Sequence, residues 1–157
     1  MQNQNFAKTY LVDKSPKEVF KAITDVRGWW WSGLYSEEID GQSNQLNDEF
    51  TFRAGGGAHY SKQKLVEIIP DKKVVWLVKD SKLTFLNKRD EWTGTKLSFE
   101  ISKQANKTKV TFTHFGLVPE IESYNGCSTA WSQYLEKFLS PLIEANKAQP
   151  EKEKIAM

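Results

Sequence analysis

Two hydrophobic spacings divide this chain. Between Phe6 and His114 apolar residues recur mostly at every second position, and beyond Ser123 they recur at every third or fourth. The first period belongs to strands with one buried face, the second to an amphipathic helix. Residues 6–12, Phe-Ala-Lys-Thr-Tyr-Leu-Val, are rich in β-branched and aromatic side chains and predict a first strand. Ser15-Pro16-Lys17-Glu18 then supplies a cap, a proline for the first helical position and the acidic partner of a capping box. The helix it starts spans about 16–24, with Val19, Phe20 and Ile23 on one face.

Arg27 to Gly33 reads as an aromatic turn or short helix, and Glu37 to Asn47 as a polar loop. Phe50 and Phe52 alternate with Thr51 and Arg53 in a second strand that stops at Gly55-Gly56-Gly57. Residues 58–69 and 73–79 form a hairpin about Pro70-Asp71-Lys72, with Val74, Trp76 and Val78 on one face of its second arm. Residues 80–94 fit either a short strand or a structured loop. A last hairpin carries Leu97, Phe99 and Ile101 on one arm and Val110, Phe112 and His114 on the other, joined at Gln104-Ala105-Asn106. The helical stripe that follows is Cys127, Trp131, Leu135, Phe138 and Leu142, about five turns long. Pro141 is expected to kink it near Lys137, whose carbonyl the proline ring would crowd.

The element order is therefore strand, helix, several antiparallel strands and a long helix. One sheet face needs cover and the terminal stripe can supply it, which predicts an α+β fold with a curved antiparallel β-sheet wrapped around a long C-terminal α-helix. Its boundaries are expected at 1–148, with a frayed polar tail over 149–157.

Composition adds one point. Nine Phe, six Trp and five Tyr make a heavy aromatic load for 157 residues, enough to fill a core and to line a cavity as well. Charge is balanced at a net +2 without a basic half, so no nucleic-acid surface is expected. A single cysteine excludes an internal disulfide. The first residues lack a signal-peptide pattern and no apolar run approaches ~18 residues, so the expectation is a cytoplasmic protein without a membrane span.

Candidate chemistry is sparse. His114 shares the inward face of its strand with Val110 and Phe112, where it serves as a pocket donor, a general base or a satisfied structural histidine. His59 and His114 show no metal-ligand spacing, and no metal or cofactor is expected. The glycine triplet lacks the Gly-Lys-Ser/Thr of a phosphate loop and predicts a turn. Cys127 sits near a helix start but also on the apolar stripe, as a small hydrophobe. Asp48-Glu49 and Asp90-Glu91 are adjacent pairs whose side chains diverge in extended backbone, so neither makes an acid–base pair by spacing.

The run Thr113-His114-Phe115-Gly116-Leu117, followed by Gly126-Cys127 and Ala130-Trp131, resembles the family named for the activator of the ninety-kilodalton heat-shock chaperone's ATPase. That family lies within the START-like (SRPBCC) helix-grip superfamily. Looser matches are the Ser-Pro-x-x-Val-Phe helix start, Trp29-Trp30 and the Val-x-Glu-Ile-x-Pro hairpin at 66–70, so the likeness spans roughly residues 6–146. The resemblance implies a helix-grip fold and either a bound apolar ligand or a chaperone co-factor role.

The leading expectation is a non-enzymatic domain that binds a small, largely apolar or aromatic ligand between sheet and helix. Trp29, Trp30, Trp76, Phe99, Phe112, His114, Cys127, Trp131, Leu135 and Phe138 would line the site, with Trp29 and Trp30 as a lid and 81–94 bordering the mouth. The alternatives are a chaperone co-factor or protein-interaction module, and a cyclase or hydrolase using His114 with a loop carboxylate.

Overall fold

The computed structural model describes residues 5–30 and 36–144. The expected polar tail at 149–157 and part of the aromatic turn, 31–33, lie outside them. Seven antiparallel strands form one sheet in the order β1-β7-β6-β5-β4-β3-β2. They are β1 (Phe6–Val12), β2 (Glu38–Gly41), β3 (Glu49–Ala54), β4 (His59–Ile69), β5 (Lys73–Leu83), β6 (Lys96–Gln104) and β7 (Lys107–Phe115). The first helix, α1 (Pro16–Thr24), begins as its sequence dictates. Ser15 Oγ accepts from the Glu18 backbone N–H at 3.1 Å and the Ser15 N–H donates to Glu18 Oε1 at 2.9 Å, closing both halves of the capping box. A short α2 (Val26–Trp29) follows, then α3 (Tyr124–Gln133) after the sheet.

Period-two burial runs through β7, where Thr108, Val110, Phe112 and His114 are buried and their neighbours are not. The β6–β7 register sets Phe99 opposite Phe112 and Leu97 opposite His114, so these side chains share the concave face. Two register shifts in β4, at Lys62/Gln63 and Leu65/Glu67, bend that strand around the core. α1 packs on β5 and β6, and the helical segment after α3 packs against α2. The result is the helix-grip arrangement.

Three features depart from the sequence reading. The polar stretch at 37–47 contains β2, whose Ile39 pairs with Phe52 and is buried. The second hairpin arm runs on to Leu83, so residues 80–83 are strand and the rest of 80–94 is a chain of turns. The terminal helix is not uniform. After Gln133 it opens into a π-helical turn, Tyr134–Leu139, where Ser140 N–H bonds Leu135 O, and regular helix resumes to 144.

Pro141 supplies the reason, since it has no N–H to donate and its ring crowds the carbonyl four residues back. One wide turn also takes up about one residue of phase, roughly 100°. The fully buried positions become Leu135, Leu139 and Ile143, while Phe138 and Leu142 are only partly buried.

Candidate functional site

Most of the helix–sheet interface is filled by rings. Phe99 packs edge-on to Trp29 (5.7 Å between centroids) and Trp76 (6.0 Å), and lies 4.9 Å from Phe112. Phe112 lies 4.6 Å from Trp131, the residue that α3 drives deepest into the sheet. The polar atoms here are satisfied. Trp29 Nε1 donates to Ile23 O at 3.0 Å and Trp76 Nε1 to Ser43 Oγ at 2.7 Å.

His114 belongs to this filled region and is fully buried. Trp131 Nε1 donates to its Nδ1 at 3.1 Å. An indole N–H only donates, so Nδ1 is the bare nitrogen and Nε2 carries the proton, 2.9 Å from Thr95 Oγ1. Thr95 in turn donates to Trp92 O at 2.6 Å. Burial, helped by nearby His59, pushes His114 down to about 3, so it is neutral at physiological pH with both nitrogens engaged. Its printed partners include no carboxylate, and the arrangement serves structure, not proton transfer.

Gly116 makes the approach of Thr95 possible. Its φ is +103°, and a Cβ there would lie 2.6 Å from Thr95 Cγ2. The reversal returns Leu117 N–H to His114 O at 3.1 Å and buries Leu117. The two parts of the C-terminal motif are thus bonded to each other through His114 and Trp131.

At the other end the interface is hollow. A cavity of about 290 Å³ opens between β3, the start of β4, the 84–95 segment and α3. Its aromatic walls are Trp30, Phe52, Trp92, Trp131 and Tyr134. The space exists because small residues face one another: Ala54, Gly55 and Ala58 on the sheet side, Gly126 and Ala130 on the helix. Gly55, Gly126 and Phe85 are exposed and frame the mouth, where the glycine turn (φ +63°, +69° and +99° at 55–57) ends β3.

Loop carboxylates hold the rim. Glu91 accepts from the Glu122 and Ser123 backbone N–H groups at 3.2 and 3.0 Å, and Glu122 Oε1 accepts from Asn87 N–H at 2.9 Å. This pins the turn-rich segment to the positive end of α3. Asp48 accepts from the Asn44 and Gln45 backbone, and Glu49 bridges Lys62 and Lys79. Both carboxylate pairs are structural.

Polar atoms on the cavity are few. Tyr134 O–H donates to buried Glu37 Oε2 at 2.6 Å. His59 Nε2 and Trp92 Nε1 are buried without a hydrogen-bond partner, and the two rings meet edge to face at 4.7 Å. Burial lowers His59 to about 4. It also raises the Cys127 thiol to about 11, against contacts from Trp92 and Ser123 that favour the thiolate. The sulfur is therefore a neutral thiol and a weak acceptor at best. Among the described residues, no cluster of His, Cys, Asp and Glu could hold a metal ion, and no helix is long and apolar enough to cross a membrane.

Of the ten residues named from the sequence, Trp30, Cys127 and Trp131 border the cavity. Trp29, Trp76, Phe99, Phe112, His114 and Leu135 lie in the filled region, and Phe138 packs at its edge. Trp29 and Trp30 are 1% and 2% exposed, so they form no outer lid. Phe52, His59, Phe85, Trp92 and Tyr134 were missed as lining residues. Tyr134 had a usable signal, since it lies three residues from Trp131 on the same helical face. Phe52 had period-two alternation. For Phe85 and Trp92, which sit in consecutive turns, no periodicity existed to read.

A concave antiparallel sheet, closed by a C-terminal helix with an apolar hollow between them, defines the helix-grip class. Within it, the chain belongs to the family described as Activator of Hsp90 ATPase homolog 1-like protein, whose model matches residues 13–142. It is similar to the Aha1 dimer from Colwellia psychrerythraea, at 27% identity and a TM-score of 0.69 over 91% of this chain and 98% of that one. It shares its fold with CV1439 from Chromobacterium violaceum (15% identity, TM-score 0.67, 91% and 99% covered). The same holds for CalU16 from Micromonospora echinospora (14%, TM-score 0.59, 94% and 80% covered). No curated protein matches it.

Proposed function

We propose that this protein binds a small, largely apolar ligand in the cavity between β3–β4 and α3. The observation that carries the reading is the hollow itself. A chain with aromatic residues to spare places alanine and glycine on opposing walls, and the described lining contains no Lys, Arg, Asp or Glu. At about 290 Å³ the space is roughly twice the ~150 Å³ that accommodates one benzene ring, and near the lower bound of ligand sites. The expected occupant is a compact aromatic molecule of about two fused rings. Native mass spectrometry of freshly purified protein should show adducts of one defined mass, lost in Ala130→Leu, which fills the hollow from the helix side. Adducts that persist in Ala130→Leu would exclude this cavity as their site.

A second reading, a chaperone co-factor, is favoured by the family and by the 27% identical relative described as Aha1. It predicts retention of the ninety-kilodalton heat-shock chaperone in a pull-down and stimulation of its ATPase. Failure of both assays would remove it.

A further inference from the structure

Six buried polar atoms in the described structure have no hydrogen-bond partner, and two of them, His59 Nε2 and Trp92 Nε1, belong to residues that line the cavity. Leaving such an atom buried costs about 1–3 kcal/mol, and native interiors pair nearly all of them. The filled end obeys this rule: the indoles of Trp29, Trp76 and Trp131 all donate to a partner. Trp92 Nε1 faces at best the Cys127 sulfur, a poor acceptor. His59 begins β4 with its ring edge-on to both Trp92 (4.7 Å) and Phe52 (5.3 Å), in a setting where no neighbouring side chain reaches Nε2. Both groups are held by apolar packing alone, and both border the space a ligand would occupy.

We propose, resting on the ligand-binding reading above, that the occupant carries one neutral oxygen, a hydroxyl or carbonyl. This oxygen points inward against His59 Nε2 and Trp92 Nε1, while the rings lie against Trp30, Phe52 and Trp131. Three chemical arguments select this group. The indole N–H can only donate, so the ligand must bring an acceptor. A neutral imidazole nitrogen either donates or accepts, so it suits a carbonyl or a hydroxyl equally. An ionised carboxylate or amine is disfavoured, because the described lining holds no charge to balance it. Ring faces at Trp30 and Phe52, stacked 4.6 Å apart, supply the apolar contact.

The experiment compares 2-naphthol with 2-methylnaphthalene, which differ by hydroxyl for methyl at nearly constant shape. Each is titrated by NMR into the full chain, into His59→Phe and into Trp92→Phe, with a thermal melt of each variant to verify folding. The expected result is a preference for 2-naphthol of about tenfold, the equivalent of one net hydrogen bond. That ratio should fall towards one in at least one of the two variants. If the unsubstituted protein binds both probes equally, or the ratio survives in both variants, the oxygen site is wrong while the cavity reading stands. If neither probe binds the unsubstituted protein, the cavity reading fails and this inference falls with it.

Discussion

The two ends of the helix–sheet interface are made from the same residue types and treat them in opposite ways. Both contain tryptophans and a histidine. At the His114 end every printed indole N–H has an acceptor, and the histidine is bonded on both sides. At the His59 end the imidazole Nε2 and the Trp92 N–H are orphaned, and alanines and glycines leave about 290 Å³ open. A satisfied, close-packed end gains stability. A hollow end with idle polar groups forgoes some of it, and forgone stability localised in one place marks a site shaped for something other than folding.

Trp131 stands where the two ends meet, so its removal should have the largest effect. It touches Trp30 and Phe112 at 5.1 and 4.6 Å, stacks on Trp92 at 6.0 Å and bonds His114. Trp131→Ala is expected to cost about 3–5 kcal/mol, read as a lower urea midpoint, and to abolish probe binding. Unchanged stability would show that the ends are not coupled through this ring.

Acid comes next. In the unfolded chain each histidine takes a proton near its ordinary value of 6.5, whereas folded His59 and His114 do so only near about 4 and about 3. Between those values the unfolded state binds more protons, so stability is complete above roughly pH 7 and falls as pH drops. By pH 5 the loss should approach about 2 kcal/mol for each histidine. Urea unfolding at pH 8, 6.5 and 5 measures it, in a range above that in which Glu49, held below the ordinary carboxylate range mainly by Lys79, would titrate. A flat profile would mean that both rings are better solvated than the structure shows.

The smallest effect is the most discriminating. His114→Phe strands the Trp131 N–H and should cost about 1–3 kcal/mol, whereas His59→Phe removes an atom that has no partner and should be neutral or slightly stabilising. Thermal melts compare them directly, and equal losses would erase the contrast between the ends. His59→Phe should also remove about half of the acid sensitivity.

The sequence foretold the parts of this molecule that obey a period. β1, the capping box of α1 and the β6–β7 hairpin lie where alternation and capping residues put them. β2 escaped because four residues with one buried apolar side chain leave no period to detect. The stripe of the last helix was legible only as far as Leu135, since beyond it the π-helical turn changes which residues face the sheet. For the candidate site, the aromatic supply was visible but its distribution was not. Trp76 and Trp131 look alike in sequence, and only packing decides which has an empty neighbour. A hollow is made by what is small, and Ala54, Ala58 and Ala130 carry no signal in a single sequence.

The wide turn before Pro141 also fixes the count of residues in the terminal segment. Deleting one residue within 134–139 would restore regular winding, but would rotate everything downstream by roughly 100°. Leu139 and Ile143 would swing toward water and their polar neighbours inward. Length changes in this protein are therefore admissible before or after its last helix, and not within it.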